Sequence, residues 1–264
     1  MKVVVSIKQT PSTTAVLVVD NSGNVSWDDP GGKPNVLNPW DEYTVEEGVR
    51  LKENHGATDV IALTVGSAES QEALKTCLAM GCTEAILVSD PALQGLDSLG
   101  TARTLAAAIN KAGDVQVAIF GRQAIDGDTG QTPVQVARKL GWTPLTFVSA
   151  IKEIGGGKIT VERLLDDGKE TVTASLPVVI STVKEINEPR YPSLMGIRKA
   201  SRAEIPVWSA ADLGLANGAG SSNVDWSTVY AIPPRGGSVQ MIAGDSVEAQ
   251  AKILADKLFE EKVI

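Results

Sequence analysis

The amino-acid sequence predicts an α/β fold: a doubly wound, mostly parallel sheet with an antiparallel addition and a long irregular C-terminal segment. In the first half of the chain, apolar runs typical of buried strands alternate four times with helical patterns. Between residues 145 and 183 strand patterns follow one another, broken by glycine-containing turns that suit antiparallel hairpins. From residue 186 to about 238, prolines and glycines interrupt both patterns. These three observations together indicate the fold class.

Composition narrows the class of protein. The chain has 264 residues, enough for one large domain with appendages. Its formal net charge of −8 argues against general nucleic-acid binding, which usually shows a basic face. No apolar run approaches the roughly 20 residues that cross a bilayer, and the N-terminus lacks the pattern of a secretory signal. We therefore expect a cytoplasmic protein without membrane insertion.

Cysteine and histidine give no sign of a metal or nucleophilic site. Cys77 and Cys82 fall in one predicted helix at a spacing that suits neither a redox pair nor a zinc cluster, so we expect buried thiols. His55 is the single histidine and precedes Gly56 at a predicted helix end. We expect neither a catalytic triad nor a histidine-rich metal site.

The alternating half begins with a strand at 3–7 and a hairpin with arms at 16–19 and 25–27. A helix then begins after Asn38, its candidate cap, with Pro39 in its first turn. The acidic Asp41 and Glu42 suit the positive end of the helix dipole, and Gly56 ends the helix. The further elements follow in order: a strand at 59–65, a helix at 69–80, a strand at 84–88, a helix at 99–112 and a strand at 115–120.

The loop 121–132 lies between the last of these strands and a short helix. Its three glycines let the backbone approach a ligand closely. Thr132 is a candidate helix cap, Pro133 suits the first turn, and Gln135 stands at capping-box spacing. The free amides and dipole of this helix N-terminus favour an anion such as a phosphate.

The same loop has a plainer interpretation, as a polar connection that binds nothing. Asp126 and Asp128 are unusual beside a phosphate, and the glycines match no dinucleotide fingerprint. The two carboxylates are also conceivable metal ligands, although a solvated or backbone-capping role is favoured. Ligands of doubly wound sheets lie outside the carboxyl ends of the strands. Three ends therefore become candidates together, at 6–8, at 65–66 and at the loop 121–132.

The second half adds strands at 145–154, 158–165, 170–174 and 178–183. The irregular segment after residue 186 carries isolated large apolar residues, namely Leu194, Trp208, Leu213 and Trp226. So long an irregular stretch is unusual inside a compact domain, and these residues favour a partner that covers it. A helix at 246–262 closes the chain, with Val247, Ala251, Leu254 and Leu258 along one face.

Four stretches resemble the small (beta) subunit of electron transfer flavoproteins, and the resemblance covers nearly the whole chain. They are Val-Val-Val-Ser-Ile-Lys-Gln at 3–9, Leu-Asn-Pro-Trp-Asp-Glu at 37–42, Gly-Arg-Gln-Ala-Ile-Asp-Gly-Asp-Thr-Gly-Gln-Thr at 121–132, and Asn-Glu-Pro-Arg-Tyr-Pro-Ser-Leu-Met-Gly-Ile at 187–197. The resemblance implies a Rossmann-like core of the adenine-nucleotide-binding type. It also implies an obligate heterodimer with an alpha subunit, which holds an electron-carrying FAD.

The resemblance further implies that the beta subunit encloses a nucleotide of its own. The residues that match the family's binding positions are Ser6, Asn38, Pro39, Trp40, Asp41, Val65, Gly121, Arg122, Gln123, Ala124, Ile125, Asp126, Gly127, Asp128, Thr129, Gly130, Gln131 and Thr132. The strand ends identified above add Lys8 and Gly66 to the candidate cofactor-binding residues. Ordinary members hold AMP there, whereas flavin-bifurcating members hold a second FAD that takes electrons from NADH. The small residues of the loop favour FAD, and AMP remains the alternative.

A docking role is implied for the segment 186–200, which would recognise acyl-CoA dehydrogenase or a similar flavoenzyme. Leu194 would fill an apolar pocket of the partner, and the neighbouring contacts would come from Arg190, Tyr191, Met195 and Ile197. The plainer interpretation of Leu194 is a surface leucine in a proline-rich turn. The resulting organisation is a core at 1–185, the docking segment at 186–200, and an arm with a C-terminal helix at 201–264 that contacts the alpha subunit.

Two hypotheses of function follow. In the first, the chain is an electron-transfer subunit without a catalytic side chain of its own, and the flavins carry the electrons. In the second, it is a small adenylating enzyme of the adenine-nucleotide-binding type. Such an enzyme needs a cationic clamp on the phosphates, for which Lys8 and Arg122 are the obvious cations. The first hypothesis accounts better for the irregular tail.

Overall fold

In this computed structural model, which describes residues 1–215, 221–224, 228–233 and 236–264, nine strands form one central sheet. Trp226, one of the large apolar residues that we expect a partner to cover, lies outside the described residues. The described strands are β1 (Lys2–Ser6), β2 (Gln9–Pro11), β3 (Val16–Val19), β4 (Val25–Asp28), β5 (Asn35–Leu37), β6 (Asp59–Val65), β7 (Glu84–Val88), β8 (Val115–Gly121), β9 (Thr143–Gly155), β10 (Lys158–Leu165), β11 (Gly168–Ser175), β12 (Val178–Thr182) and β13 (Val207–Trp208). The described α-helices are α1 (Pro39–His55), α2 (Gln71–Met80), α3 (Ser98–Ala112), α4 (Thr132–Leu140), α5 (Leu194–Ala200) and α6 (Val247–Glu260).

The sheet has its topological switch point beside β1. Its strand order is β11-β10-β9-β12-β8-β1-β6-β7-β13, and β1 pairs in parallel with both β6 and β8. The chain runs outward from β1 through β6 and β7, then returns to the other side of β1 as β8. A crevice therefore opens between the carboxyl ends of β1 and β8, where Ser6 is level with Phe120. The predicted fold class is confirmed.

Two apolar cores lie on the opposite faces of this sheet. Val3 and Val5 of β1 pack in the core that contains residues of α1 and α2, whereas Val4 packs in the core that contains residues of α3 and α4. Strands buried on both faces read as continuous apolar runs, which is why the sequence marks them clearly. Cys77 and Cys82 are buried in the first core as free thiols, as predicted, but they do not share one helix, because α2 ends at Met80, before Cys82.

The strands after α4 differ from prediction in their direction. β12 runs parallel to β8, and β9 begins parallel to β12, with Val178 level with Thr143. Only the later part of β9 continues into the antiparallel ladder with β10 and β11. The sequence predicts four successive strands, but it does not reveal that the last of them, β12, lies between β9 and β8 in the sheet. The antiparallel addition is therefore smaller than predicted.

The segment after residue 186 is also more regular than predicted. It forms α5, and then β13 pairs with β7 at the sheet edge, with Val207 level with Leu87. Trp208 and Leu213 pack on the second core, so this part of the predicted arm belongs to the domain. Two-residue strands and short helices are too brief to give a periodic signal. Beyond residue 215, none of the residues of α6 is buried by the rest of this chain. That a partner subunit covers α6 stays a prediction.

The first hairpin and the end of α1 agree with the sequence. β3 and β4 form the expected hairpin, and Gly56 ends α1 in the left-handed conformation. Within the described residues, none of the helices combines the length and apolar character needed to cross a membrane. The same residues contain no group of three or more His, Cys, Asp or Glu side chains placed to hold a metal ion.

Gly121 ends β8 in close contact with the start of α1. A methyl group added at Gly121 would overlap Oδ1 of Asp41 and would lie 3.0 Å from the backbone carbonyl carbon of Trp40. We expect Gly121→Ala to lower stability by about 1–3 kcal/mol, because a well-packed site cannot absorb the extra carbon. Thermal unfolding of the purified protein measures this.

Gly127→Ala is the matched control, because nothing lies within 4 Å of the position that its added methyl would take. It should unfold at the wild-type temperature. Equal melting temperatures for the two variants would contradict the packing argument.

Candidate functional site

A cavity of about 900 Å³ opens at the carboxyl ends of β1, β6, β7 and β8. Its size suits a nucleotide-sized ligand. The predicted site residues that line it are Ser6, Lys8, Asn38, Asp41, Val65, Gly66, Gly121, Gln123, Ala124, Asp126, Gly127, Asp128, Thr129, Gly130 and Thr132. The structure thus brings together, around one cavity, three strand ends that are far apart in the sequence.

Five predicted residues lie outside this lining: Pro39, Trp40, Arg122, Ile125 and Gln131. The guanidinium of Arg122 lies over the Trp40 ring, 5.6 Å from its centroid, and over the Phe147 ring at 5.4 Å. Its charge is therefore engaged with aromatic faces. Among the described lining residues, Lys8 is the one Lys or Arg.

Asn38 holds the loop 121–132 against the start of α1. Its Nδ2 donates to the carbonyl oxygen of Gln123 at 3.0 Å, and its Oδ1 accepts from the backbone nitrogen of Ile125 at 3.2 Å. Asn38 occupies the predicted N-cap position, but its side chain makes no capping hydrogen bond to α1. The side chain is buried and its polar atoms serve the neighbouring loop. That part of the capping prediction is wrong.

Asp41 is a buried carboxyl group beneath the cavity. Its Oδ2 accepts from the backbone nitrogen of Lys8 at 2.7 Å, just beyond the end of β1. Burial raises the pKa of Asp41 to about 7, although hydrogen bonds from Lys8, Asn38 and Gly121 favour the ionised form. Asp41 therefore connects the ends of β1 and β8 to the first turn of α1.

The two loop carboxylates have partners within the protein. Nζ of Lys8 lies 2.8 Å and 2.7 Å from the two carboxylate oxygens of Asp126, which joins β1 to the loop. Oδ1 of Asp128 accepts from Nε2 of Gln123 at 2.8 Å. The predicted conflict between these acids and a phosphate is therefore reduced, since one carboxylate is neutralised and the other is held by a neighbour.

The N-terminus of α4 faces the cavity without a side-chain cap. Gln131 is its N-cap residue and makes no capping hydrogen bond, and Thr132 is the first helical residue. The predicted capping box is absent, because Nε2 of Gln135 donates instead to Oγ of Ser98 at 3.3 Å and to Gln131. In contrast, Asp97 caps α3 by accepting from the backbone nitrogen of Gly100 at 2.6 Å. The first turn of α4 is therefore the more suitable position for an anionic ligand.

A fourth strand end borders the cavity, that of β7, and the sequence did not predict it as part of the site. The loop after β7 lines a large part of the cavity, from Val88 to Asp97. Further lining residues outside the prediction are Ser67, Ala68, Ser98, Thr101, Leu105, Phe120, Pro133 and Val224. A strand at 84–88 was predicted, and its carboxyl end belongs to the same edge of a parallel sheet. The rule that gave the other three ends was therefore sufficient to find this one.

The predicted docking residues form a second region, away from the cavity lining. Tyr191, Leu194 and Met195 are 96%, 86% and 79% exposed, and Ile197 is half exposed. Arg190 differs from them, since its guanidinium is bound to Glu46 and Glu53 of α1. The four apolar or aromatic residues of the predicted docking site are thus exposed, whereas the guanidinium of Arg190 is turned toward α1.

Asp41 should make stability depend on pH. Because burial raises its pKa in the folded protein from 3.8 to about 7, its stabilising contribution is present below about pH 4 and is lost as the pH rises through about 7. We expect the melting temperature of Asp41→Asn, relative to the wild type, to rise by about 5 °C between about pH 5 and about pH 8. Scanning fluorimetry across this range measures the difference.

Asp166→Asn, at an exposed hairpin turn, is the control and should show a constant difference from the wild type. A constant difference for Asp41→Asn as well would show that its carboxyl group ionises normally.

Comparisons with known proteins identify the family of this chain. The model of the electron transfer flavoprotein domain matches residues 30–213. The caffeyl-CoA reductase-Etf complex subunit CarD of Acetobacterium woodii is 38% identical, with 100% of each chain covered. The electron transfer flavoprotein subunit beta of Megasphaera elsdenii is 35% identical with 100% of each chain covered. That of Sus scrofa is 38% identical over 85% of this chain and 84% of its own.

The match to the domain model covers most of the doubly wound core, and two of the relatives cover the chain from end to end. The family resemblance noted in the sequence is thereby confirmed. This chain belongs to the electron transfer flavoprotein family, as a beta (small) subunit.

Proposed function

We propose that the cavity holds a second FAD, and that the heterodimer with an alpha subunit uses it to oxidise NADH and to bifurcate the electrons. The alpha subunit would hold the other FAD. The observation that carries the proposal is the extent of the cavity, which reaches from the N-terminus of α4 to the loop after β7. A dinucleotide needs such an extended site, with its phosphates at a helix N-terminus.

The loop before α4 has room for a diphosphate. Nothing lies within 4 Å of the position a methyl group would take on Gly127, and Gly130 has a φ of +60°, which glycine adopts without strain. Thr129, Gly130 and Thr132 would hold the phosphates through backbone groups at the start of α4. Bound FAD would supply reversible acceptance and release of electrons. The residues of this chain would bind, orient and shield it.

AMP as a structural ligand is the alternative for the same cavity. The same first turn of α4 would hold its single phosphate, and the remaining volume would be filled by solvent or by the partner subunit. An adenylating enzyme is the more distant alternative. It requires several free cations at the phosphates, whereas Lys8, the one lining cation among the described residues, is paired with Asp126.

The arm supports association with an alpha subunit. Its described residues include Tyr230, Ile232, Val239 and Met241, which are largely exposed in this chain. Monomeric proteins rarely expose so many large apolar side chains together. We infer that the alpha subunit covers them in an obligate heterodimer, whose total buried area would exceed about 2,000 Å².

Acyl-CoA dehydrogenase, or a flavoenzyme like it, would dock on the exposed side chains of Tyr191, Leu194, Met195 and Ile197. An exposed leucine that is central in an interface suits a pocket on the partner, and such anchors carry most of the binding energy. The other residues of this docking surface would contribute shape complementarity and little of the binding energy.

The nucleotide content of the heterodimer tests the proposed cofactor. Purified with FAD in excess, denatured and analysed by chromatography, the heterodimer should release two FAD molecules and no AMP, because the cavity of this chain holds the second flavin. One FAD and one AMP per heterodimer would support the plain electron carrier instead.

The docking assignment predicts a selective loss of electron transfer. Leu194→Ala should lower the rate of reduction by an acyl-CoA dehydrogenase about thirtyfold, because a central apolar anchor contributes about 2 kcal/mol or more. Nucleotide content and heterodimer assembly should stay unchanged. Stopped-flow reduction measures the rate.

Leu165→Ala is the matched control, since Leu165 is also an exposed leucine but ends β10, outside the docking segment. It should leave the rate unchanged. A wild-type rate for Leu194→Ala would remove the docking assignment.

A further inference from the structure

Arg190 lies in the docking segment, yet its guanidinium binds within the chain. Its Nε donates to Glu46 at 2.7 Å, and its Nη1 donates to Glu53 at 2.7 Å. Its Nη2 donates to both glutamates, at 3.0 Å and 2.8 Å. Each carboxylate is therefore held by two nitrogens, in the fork geometry that only arginine offers. These bonds leave little of the guanidinium free for a partner protein.

The glutamate that receives the first of these bonds is buried in α1. Glu46 is 6% exposed, and it also accepts from the backbone nitrogen of Arg190 at 3.2 Å. Three residues earlier in the docking segment, Nδ2 of Asn187 donates to the carbonyl oxygen of Tyr43 and to Glu47, each at 3.0 Å. A buried carboxylate is costly unless it is paired, so Arg190 is tied strongly to its place on α1.

The other end of the docking segment is fixed on α2. Ser193 caps α5 by accepting from the backbone nitrogen of Gly196 at 2.9 Å. A methyl group at Gly196 would overlap the carbonyl oxygen of Ala79, so α5 lies directly on the end of α2. Ala200 is buried at the end of α5. The exposed residues Tyr191, Leu194 and Met195 therefore project from a stretch that is anchored on both sides.

We propose that Arg190 is a positioning residue, which with Glu46 and Glu53 anchors the docking segment 186–200 on α1 in its docking conformation and does not itself contact the partner. The proposal rests on the proposed docking function. Binding is stronger when a segment is already ordered, because less conformational freedom is lost in the complex. The cations available to contact the partner are instead Arg198 and Lys199. Both are exposed, and neither forms an ion pair among the described residues.

A double-mutant cycle in the purified heterodimer separates positioning from contact. Arg190→Ala and Leu194→Ala should each raise the KM for the dehydrogenase, by about tenfold or more, with little change in kcat. The combined effect of the double variant should stay well below the product of the two single effects, because Arg190 acts by positioning Leu194 and its exposed neighbours. If the two effects multiply, Arg190 acts separately from Leu194 and the proposal is overturned.

Lys199→Ala is the matched control, a free cation of the same segment. Its effect on KM should weaken at high salt, as expected of a steering charge, whereas the effect of Arg190→Ala should persist. Arg190→Lys should restore only part of the wild-type KM, because one ammonium cannot bind both carboxylates in the same way. Full rescue by lysine would contradict the fork-dependent role.

Hydrogen exchange gives a readout that does not depend on docking. In Arg190→Ala, and more mildly in Glu53→Gln, the backbone amides of 191–197 should exchange faster while nucleotide content stays unchanged. Unchanged exchange overturns the proposal even if docking is affected. If Leu194→Ala has no effect on KM, the docking function itself fails, and the exchange result still decides whether Arg190 immobilises the segment.

Discussion

The buried carboxyl group of Asp41 is the constraint on which the arrangement of the site depends. It lies at the switch point of the sheet, where β1 and β8 end side by side and α1 begins. Its bond to the backbone nitrogen of Lys8 fixes the direction in which the chain leaves β1. Its contact with Gly121 fixes the point at which the loop 121–132 departs from β8. Asp41 thereby holds together the two strand ends between which the cavity opens.

The same helix, α1, connects the cavity to the docking segment. Its first turn contributes to the cavity through Asn38 and Asp41, and its later turns hold the docking segment through Glu46 and Glu53. One rigid helix therefore supports both the proposed cofactor site and the proposed docking surface. An electron carrier benefits from such a connection, because the distance between a docked partner and a bound flavin is then set by a single element.

Much of the fold could be predicted from the sequence, because strands buried on both faces and helices ended by Gly56 or Gly81 have strong local signals. The direction of β12 could not, since its position between β8 and β9 is decided by pairing over long distances. Side-chain roles were harder still. Asn38 and Gln135 stand at capping positions, yet the side chain of Asn38 binds the loop 121–132 and that of Gln135 binds Ser98 at the start of α3. Arg190 looks like a surface cation in the sequence, and only the fold reveals the glutamates that face it.

The central claim is that the cavity of this chain holds a flavin dinucleotide. The most direct test is a crystal structure of the heterodimer prepared with FAD in excess. We predict electron density for a complete FAD in the cavity, with its diphosphate within hydrogen-bonding distance of the backbone amides of 129–132. Density for AMP alone, or a phosphate bound away from the N-terminus of α4, would contradict the proposed role of this site.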